Sequence, residues 1–208
     1  MLKKFCTLTL PLSLLACSSP QDPSESNFAD SLENYFEDNR ACVGYEISFP
    51  FYLKKKDDVP HIMRAPRHRL LQMLVKNDIL ERREEGTQVS YQLTDDGRDV
   101  VYTEQDRRRT FTQFCYGEYE LVDIIEIQKH NPKDPVRKLG VSYSYTLEDA
   151  EDWTADFAQA LKGFNWKVAE DLEAADHPAK RRTTMHLTQE GWVHKEIWRK
   201  LKQSGRSF

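Results

Sequence analysis

The chain has 208 residues, with 30 Lys and Arg against 34 Asp and Glu and a formal charge of −4. That mildly acidic balance gives no general attraction to nucleic acid or to an anionic surface. An aromatic content of 11% is ample for a packed core and excludes a wholly disordered chain.

The first segment is an export signal in form. Lys3 and Lys4 make a short positive start, and residues 5–16 then run without charge, long enough for a signal core and too short to span a bilayer. The run ends Leu14-Leu15-Ala16-Cys17, which resembles the lipobox of bacterial lipoproteins, with Leu15 departing from the smaller or β-branched residue commoner there. The resemblance implies that residues 1–16 are removed and that Cys17 becomes the lipid-bearing first residue. Ser18 follows the cysteine where Asp would imply retention in the inner membrane, so by similarity to enterobacterial sorting the expected address is the outer membrane, facing the periplasm. Loss of Lys3 and Lys4 leaves 28 basic against 34 acidic side chains. Residues 17–30 read as a flexible tether, because Ser18 to Asn27 (SSPQDPSESN) offers nothing apolar to pack.

Of four cysteines, Cys6 leaves with the signal and Cys17 carries lipid. Cys42 and Cys115 remain, and in an oxidising compartment one disulfide between them is expected, with free thiols or a metal pair as alternatives. Their surroundings echo one another: Cys42-Val43-Gly44-Tyr45-Glu46 and Cys115-Tyr116-Gly117-Glu118-Tyr119-Glu120. A second echo follows in the same order, Leu93-Thr94-Asp95-Asp96-Gly97 and Leu187-Thr188-Gln189-Glu190-Gly191. Either these are chance matches of short strings, or residues 31–110 and 111–208 are two related α+β units.

In the first unit, Pro66 opens a helix whose stripe is Leu70, Leu71 and Leu74, with Met73 on its flank, and Asn77-Asp78 ends it. Ile79-Leu80 starts a strand, Glu84-Glu85-Gly86 turns it, and Val89, Tyr91 and Leu93 alternate as a half-buried return strand. The second unit opens with an added strand bearing Val141, Tyr143 and Tyr145. A helix capped by Thr146 follows, with Leu147, Ala150, Trp153, Phe157 and Leu161 on one face and Gly163 as its stop. Phe164, Trp166 and Val168 then alternate as a strand, residues 170–182 form a long turn, and Met185-His186-Leu187 returns. A final helix carries Val193, Ile197, Trp198 and Leu201.

Residues 70–101 resemble a winged-helix module of the MarR or PadR kind, in the helix, the charged turn and the Tyr91-Gln92-Leu93-Thr94 run closing on Gly97-Arg98. The match covers a small part of the chain and implies a helix plus β-hairpin. It does not carry DNA binding, because the hairpin tip is Glu84-Glu85 where phosphate contact needs cations, and the export signal removes the protein from DNA.

Chemistry-bearing motifs are absent. There is no Gly-x-Ser-x-Gly, and the six histidines at 61, 68, 130, 177, 186 and 194 lack metal-ligand spacing. The acidic group Glu148, Asp149, Glu151, Asp152 and Asp156 lacks a calcium-loop pattern and reads as a solvated helix face. Arg107-Arg108-Arg109 and Lys180-Arg181-Arg182 read as solvated basic runs. Phe49-Pro50-Phe51-Tyr52 is either core strand or an exposed partner loop. The expectation is an α+β fold of two strand-helix-hairpin, winged-helix-like units packed as a pseudo-symmetric pair. The expected role is a non-enzymatic lipoprotein that binds a protein, glycan or small ligand, without cofactor or nucleic acid. A periplasmic hydrolase with an unrecognised site is the alternative.

Overall fold

The structure, a computed structural model, describes residues 19–61, 65–106, 109–131, 136–163 and 165–205. The segment expected to be an export signal, Cys17, Phe164, Arg107 and Arg108 lie outside them. The architecture is mixed α+β with antiparallel sheets.

One strand organises the chain. β6 (Arg109–Ile127) runs through the larger sheet, which is ordered β1 (Ala41–Tyr45), β6, β7 (Lys138–Glu148), β8 (Ala179–Thr188) and β9 (Gly191–His194). The first part of β6 holds β1 on one side and β5 (Val101–Asp106) on the other, since Phe114 pairs with both Val43 and Val101. From Glu118 onward β6 pairs with β7. A smaller sheet is ordered β2 (Phe51–Lys54), β4 (Gln88–Leu93) and β3 (Leu80–Glu85).

Helix α1 (Glu25–Glu37) is capped by Ser24, whose hydroxyl accepts from the Asn27 amide. It buries Phe28, Leu32 and Phe36, four residues apart and so on one face, against β6 and β9. Fully burying side chains of this size contributes about 1.5–3 kcal/mol each. Helix α2 (Ala65–Lys76) buries Leu70, Leu71, Met73 and Leu74, as the stripe predicts. It packs on α4 (Thr154–Ala160), across which Lys76 and Asn77 hold the Asp156 carboxylate at 2.5 and 3.1 Å. Asp156 of the acidic group is therefore an ion-pair partner of the first half. Short α3 (Asp95–Val100) follows β4, α5 (Trp166–Asp176) precedes β8, and α6 (Lys195–Gln203) closes the described chain.

Three expectations need correction. The tether does not extend over residues 17–30, because residues 25–30 lie in α1 and Phe28 is fully buried. The 110/111 boundary falls inside β6, and α1 packs on strands of the second half, so one apolar core spans both units. The two halves do not share a topology either. β6, β7, β8 and β9 lie in one sheet, whereas β1 joins that sheet and β2, β3 and β4 form the other.

The repeated strings show why. In Leu93-Thr94-Asp95-Asp96-Gly97, the Thr94 hydroxyl caps α3 by accepting from the Gly97 amide at 2.9 Å. A Cβ on Gly97 would sit 2.1 Å from the Ile79 carbonyl oxygen, so this glycine serves close approach. In Leu187-Thr188-Gln189-Glu190-Gly191 the same letters form the turn between β8 and β9, and Gly191 is needed for its φ of +126°.

Local readings moved as well. The strand expected at Phe164, Trp166 and Val168 is not found at its described residues: Trp166 and Val168 lie in α5, where Asn165 accepts from the Lys167 amide at 3.0 Å. Residues 170–182 are the rest of that helix and the start of β8 rather than a turn. Thr146 and Leu147 belong to β7, and the helix begins only at Thr154. The Phe49-Pro50-Phe51-Tyr52 string is divided by strand alternation. Phe51 tilts against Tyr91 while Tyr52 is exposed. Residues 70–101 do fold as helix and hairpin. Arg82 and Arg83 of that hairpin are held by Asp58, Glu84 and Glu81, at 2.7, 2.5 and 2.6 Å.

Cys42 and Cys115 face each other across β1 and β6 and are joined by a disulfide, with Cα atoms 3.9 Å apart and 73 residues between them in sequence. Closing so long a loop removes denatured-state entropy equivalent to roughly 4 kcal/mol in the chain-entropy model. Cys42→Ala, Cys115→Ala and the double variant should each lose a few kcal/mol in urea unfolding, and by the same amount, because all three remove one shared bond. Additive single effects would show that the two thiols act separately.

Candidate functional site

Three tyrosines, one carboxylate and one guanidinium converge where α5 crosses the larger sheet. Asp171 of α5 is fully buried. Its Oδ2 accepts from the hydroxyls of Tyr116 and Tyr119, both at 2.6 Å, and its Oδ1 accepts from Tyr145 at 2.8 Å and from Arg181 at 2.7 Å. Tyr116 and Tyr119 are three apart on β6 and would point to opposite faces of a regular strand. They reach one carboxylate because β6 is bulged: Ala41 faces Gly117 while the next residue, Cys42, faces Cys115, which leaves Tyr116 as the extra residue.

Burial pushes the Tyr116, Tyr119 and Tyr145 phenols well above their ordinary range; the Asp171 charge comes next for Tyr119 and Tyr145, and for Tyr116 it follows the neighbouring Tyr119, so all three remain donors. Burial alone would lower the Arg181 guanidinium, but Asp171 and the tyrosines outweigh it and hold it above its usual value. The basic run Lys180-Arg181-Arg182 is thus split by strand alternation, with Arg181 turned to Asp171 and its neighbours exposed.

Above this hub lies an open groove. Its larger part, about 510 Å³, runs past Tyr35, Arg40, Tyr102, Lys167, Lys200 and the disulfide. A smaller recess of about 190 Å³ adds Tyr143, Arg181, Arg182, His194 and Lys195. Tyr35, Tyr119 and Lys167 line both. The Lys167 ammonium sits 5.3 Å from the centre of the Tyr119 ring and has no ion-pair partner among the described residues. Burial lowers its pKa, with the Asp171 charge partly opposing. It also lies in the first turn of α5, where the helix dipole disfavours a cation.

The recess contains a hydroxyl–imidazole pair that resembles a nucleophile and base only in distance. Thr183 Oγ1 lies 2.7 Å from His194 Nε2. The other ring nitrogen, Nδ1, accepts from the Glu196 amide at 3.3 Å and so caps α6. With Nδ1 an acceptor, the neutral ring carries its proton on Nε2 and donates to Thr183, so it cannot take the Thr183 proton. The ring also stacks on Tyr35, centroids 3.7 Å apart. Its role is structural.

Of the expected site residues, Cys42 and Cys115 meet at the groove rim and Cys17 lies outside the described residues. Asp171 and Lys167 escaped the sequence reading, which took Arg181 as part of a solvated basic run and His194 as an ordinary histidine. The alternation within residues 180–182 was the one available signal, since the middle residue of a strand triplet faces opposite to its neighbours. Among the described residues no three His, Cys, Asp or Glu side chains converge on a metal position, and no helix is long and apolar enough to cross a membrane. Comparison of the chain with protein-family models, with curated proteins and with solved structures finds no match.

Burial, then the charges of Lys195 and His186, depress His194 to about 4 from an ordinary value near 6.5. The unfolded chain therefore binds the extra proton first. The stability this ring contributes is complete above pH 6.5 and is lost as pH falls toward 4, by about 3 kcal/mol in all. Urea unfolding of wild type and His194→Gln across that window should show a wild-type decline steeper by this amount. Parallel pH profiles would mean that the imidazole takes up its proton as readily in the fold as in the unfolded chain.

Proposed function

We propose that this protein is a non-enzymatic lipoprotein, anchored through Cys17 in the outer membrane and facing the periplasm, which binds an acidic saccharide in the tyrosine-lined groove. The observation that carries the ligand class is Lys167. A half-buried ammonium without a carboxylate partner, beside an aromatic face and at a helix start, is stabilised by an incoming anion. Arg182 and Lys195 add positive charge to the recess, against Glu196. The Tyr102 and Tyr119 rings line the larger part of the groove with Arg40, Lys167 and Lys200 and offer flat apolar surface for a sugar ring. The hydrolase alternative gains no support, since Asp171 is saturated by four donors and His194 is committed to Thr183 and the α6 cap.

The test is calorimetric titration of the mature protein with a galacturonic-acid trimer and with its neutral galactose counterpart. The acidic sugar should bind, more weakly as salt rises, and the neutral one should not. Lys167→Met should weaken binding about tenfold, the scale of a lost hydrogen bond to a charged group, while leaving the unfolding midpoint at or above that of wild type. Equal binding of both sugars, or an unaffected Lys167→Met protein, would remove the acidic-ligand reading. Cell fractionation tests the anchor: Cys17→Ser should leave the membrane fraction.

A further inference from the structure

The polar segment after the signal is built, not loose, from its first described residue. Residues 19–22 form a turn in which the Asp22 amide donates to the Ser19 carbonyl at 2.9 Å and the Ser19 amide donates to Asp22 Oδ2 at 2.9 Å. Asn27 Nδ2 reaches back from α1 to the carbonyls of Ser19 and Asp22, at 2.8 and 2.9 Å. The turn is then fixed to the far end of the sheet. The Trp192 indole N–H donates to the carbonyls of Gln21 and Asp22, both at 3.1 Å, and Gln21 Nε2 donates to the Gln189 carbonyl at 3.2 Å. A Cβ on Gly191 would come within 2.9 Å of the Pro20 carbonyl oxygen, so the strand end is shaped to receive this turn.

Cys17 precedes Ser19 by two residue steps, a reach of at most about 7 Å. We propose that the protein rides directly on a zwitterionic lipid surface, with the β8–β9 turn and the first turn of α1 facing the headgroups; this rests on reading Cys17 as the acylated N-terminus. A second feature lies on the same flank. Beyond Tyr116, β6 is bulged twice more, between Leu121 and Asp123 and between Ile124 and Glu126, and the extra residues are Val122 and Ile125. Both are exposed, at 50% and 44%. Val122 lines a shallow groove with Glu25 and Ser26 of that first helical turn. Val122 thus sets an exposed apolar side chain beside the first turn of α1, with Ile125 exposed three residues further along β6, and such side chains suit the boundary between headgroups and acyl chains. Asp22, Glu25, Asp123 and Glu190 on this flank are acidic and outweigh Arg137 and Lys138 beside the β8–β9 turn, so the face has no net attraction to anionic lipid and the fitting surface is a zwitterionic one.

The experiment uses the full mature chain, purified from membranes and reconstituted in phosphatidylcholine vesicles that carry a headgroup nitroxide quencher. With Cys42 and Cys115 bridged, an introduced cysteine is the free thiol for a bimane label, either Glu190→Cys on the β8–β9 turn or Glu85→Cys at the β3–β4 tip of the smaller sheet. The Glu190→Cys label should be quenched several-fold more than the Glu85→Cys label. A long Gly/Ser linker inserted between Ser18 and Ser19 should abolish the difference. Equal quenching at the two positions in the unextended chain overturns the proposal, and a difference that survives the linker overturns the role given to the short reach from Cys17. The N-terminal mass separates this from the anchoring itself. A diacylated Cys17 with equal quenching removes only the riding geometry, whereas an unacylated N-terminus removes the lipoprotein reading and this proposal with it.

Discussion

A fully buried carboxylate is the constraint around which the larger sheet is arranged. An ionised Asp171 with unmet lone pairs would cost several kcal/mol, and breaking a buried pair of this type typically costs about 3–5 kcal/mol. The fold meets that demand with four donors drawn from three strands: Tyr116 and Tyr119 from β6, Tyr145 from β7 and Arg181 from β8. Satisfying them fixes where α5 crosses the sheet and requires the β6 bulge at Tyr116. It also sets the character of the groove. The tyrosine hydroxyls are turned inward to Asp171, so the Tyr119 ring face is left beside Lys167.

The disulfide and this hub act on neighbouring residues of β6. Cys115 is bridged to β1, and Tyr116, the next residue, is bonded to α5. The groove runs past both, so its walls come from elements tied to one strand at adjacent points. Such a surface is pre-organised, which lowers the ordering cost of binding. The same saturation leaves Asp171 and His194 without a free valence. Acid–base chemistry needs a titratable group with an open valence facing the substrate, and Asp171 and His194 have theirs filled by the protein.

What could be read from the chain follows the range of the forces involved. Leu70, Leu71 and Leu74 repeat at helical spacing, and Val89 and Tyr91 alternate before a Thr-capped helix, so α2 and the β3–β4 hairpin were legible from local pattern alone. The Cys42–Cys115 bridge was legible by elimination. Asp171 was not, because its meaning comes from tyrosines 26 to 55 positions away in sequence and from a bulge that no local pattern announces. α5 was misread because its buried residues, Val168, Asp171 and Ala174, include a charged side chain where an apolar one is expected. The repeat misled for a related reason. Leu-Thr-x-acid-Gly suits both a helix cap and a hairpin turn, so equal letters do not imply equal structure.

The N-terminal turn illustrates the opposite error, in which polarity was equated with looseness. Residues 19–27 have no apolar side chain to bury beyond Pro20 and Pro23, yet Asn27, Asp22 and Trp192 meet their backbone groups as a helix cap would. Order of this kind has a mechanical consequence for an anchored protein. From Glu25 to Tyr35 the helix advances ten residues, about 15 Å. On the proposed anchoring, α1 is therefore a strut, with its first turn at the lipid and Tyr35 in the groove. A random tether of the same residue count would let the groove wander. A capped helix fixes its height, so a ligand is met at a set distance from the membrane rather than anywhere within reach of a leash.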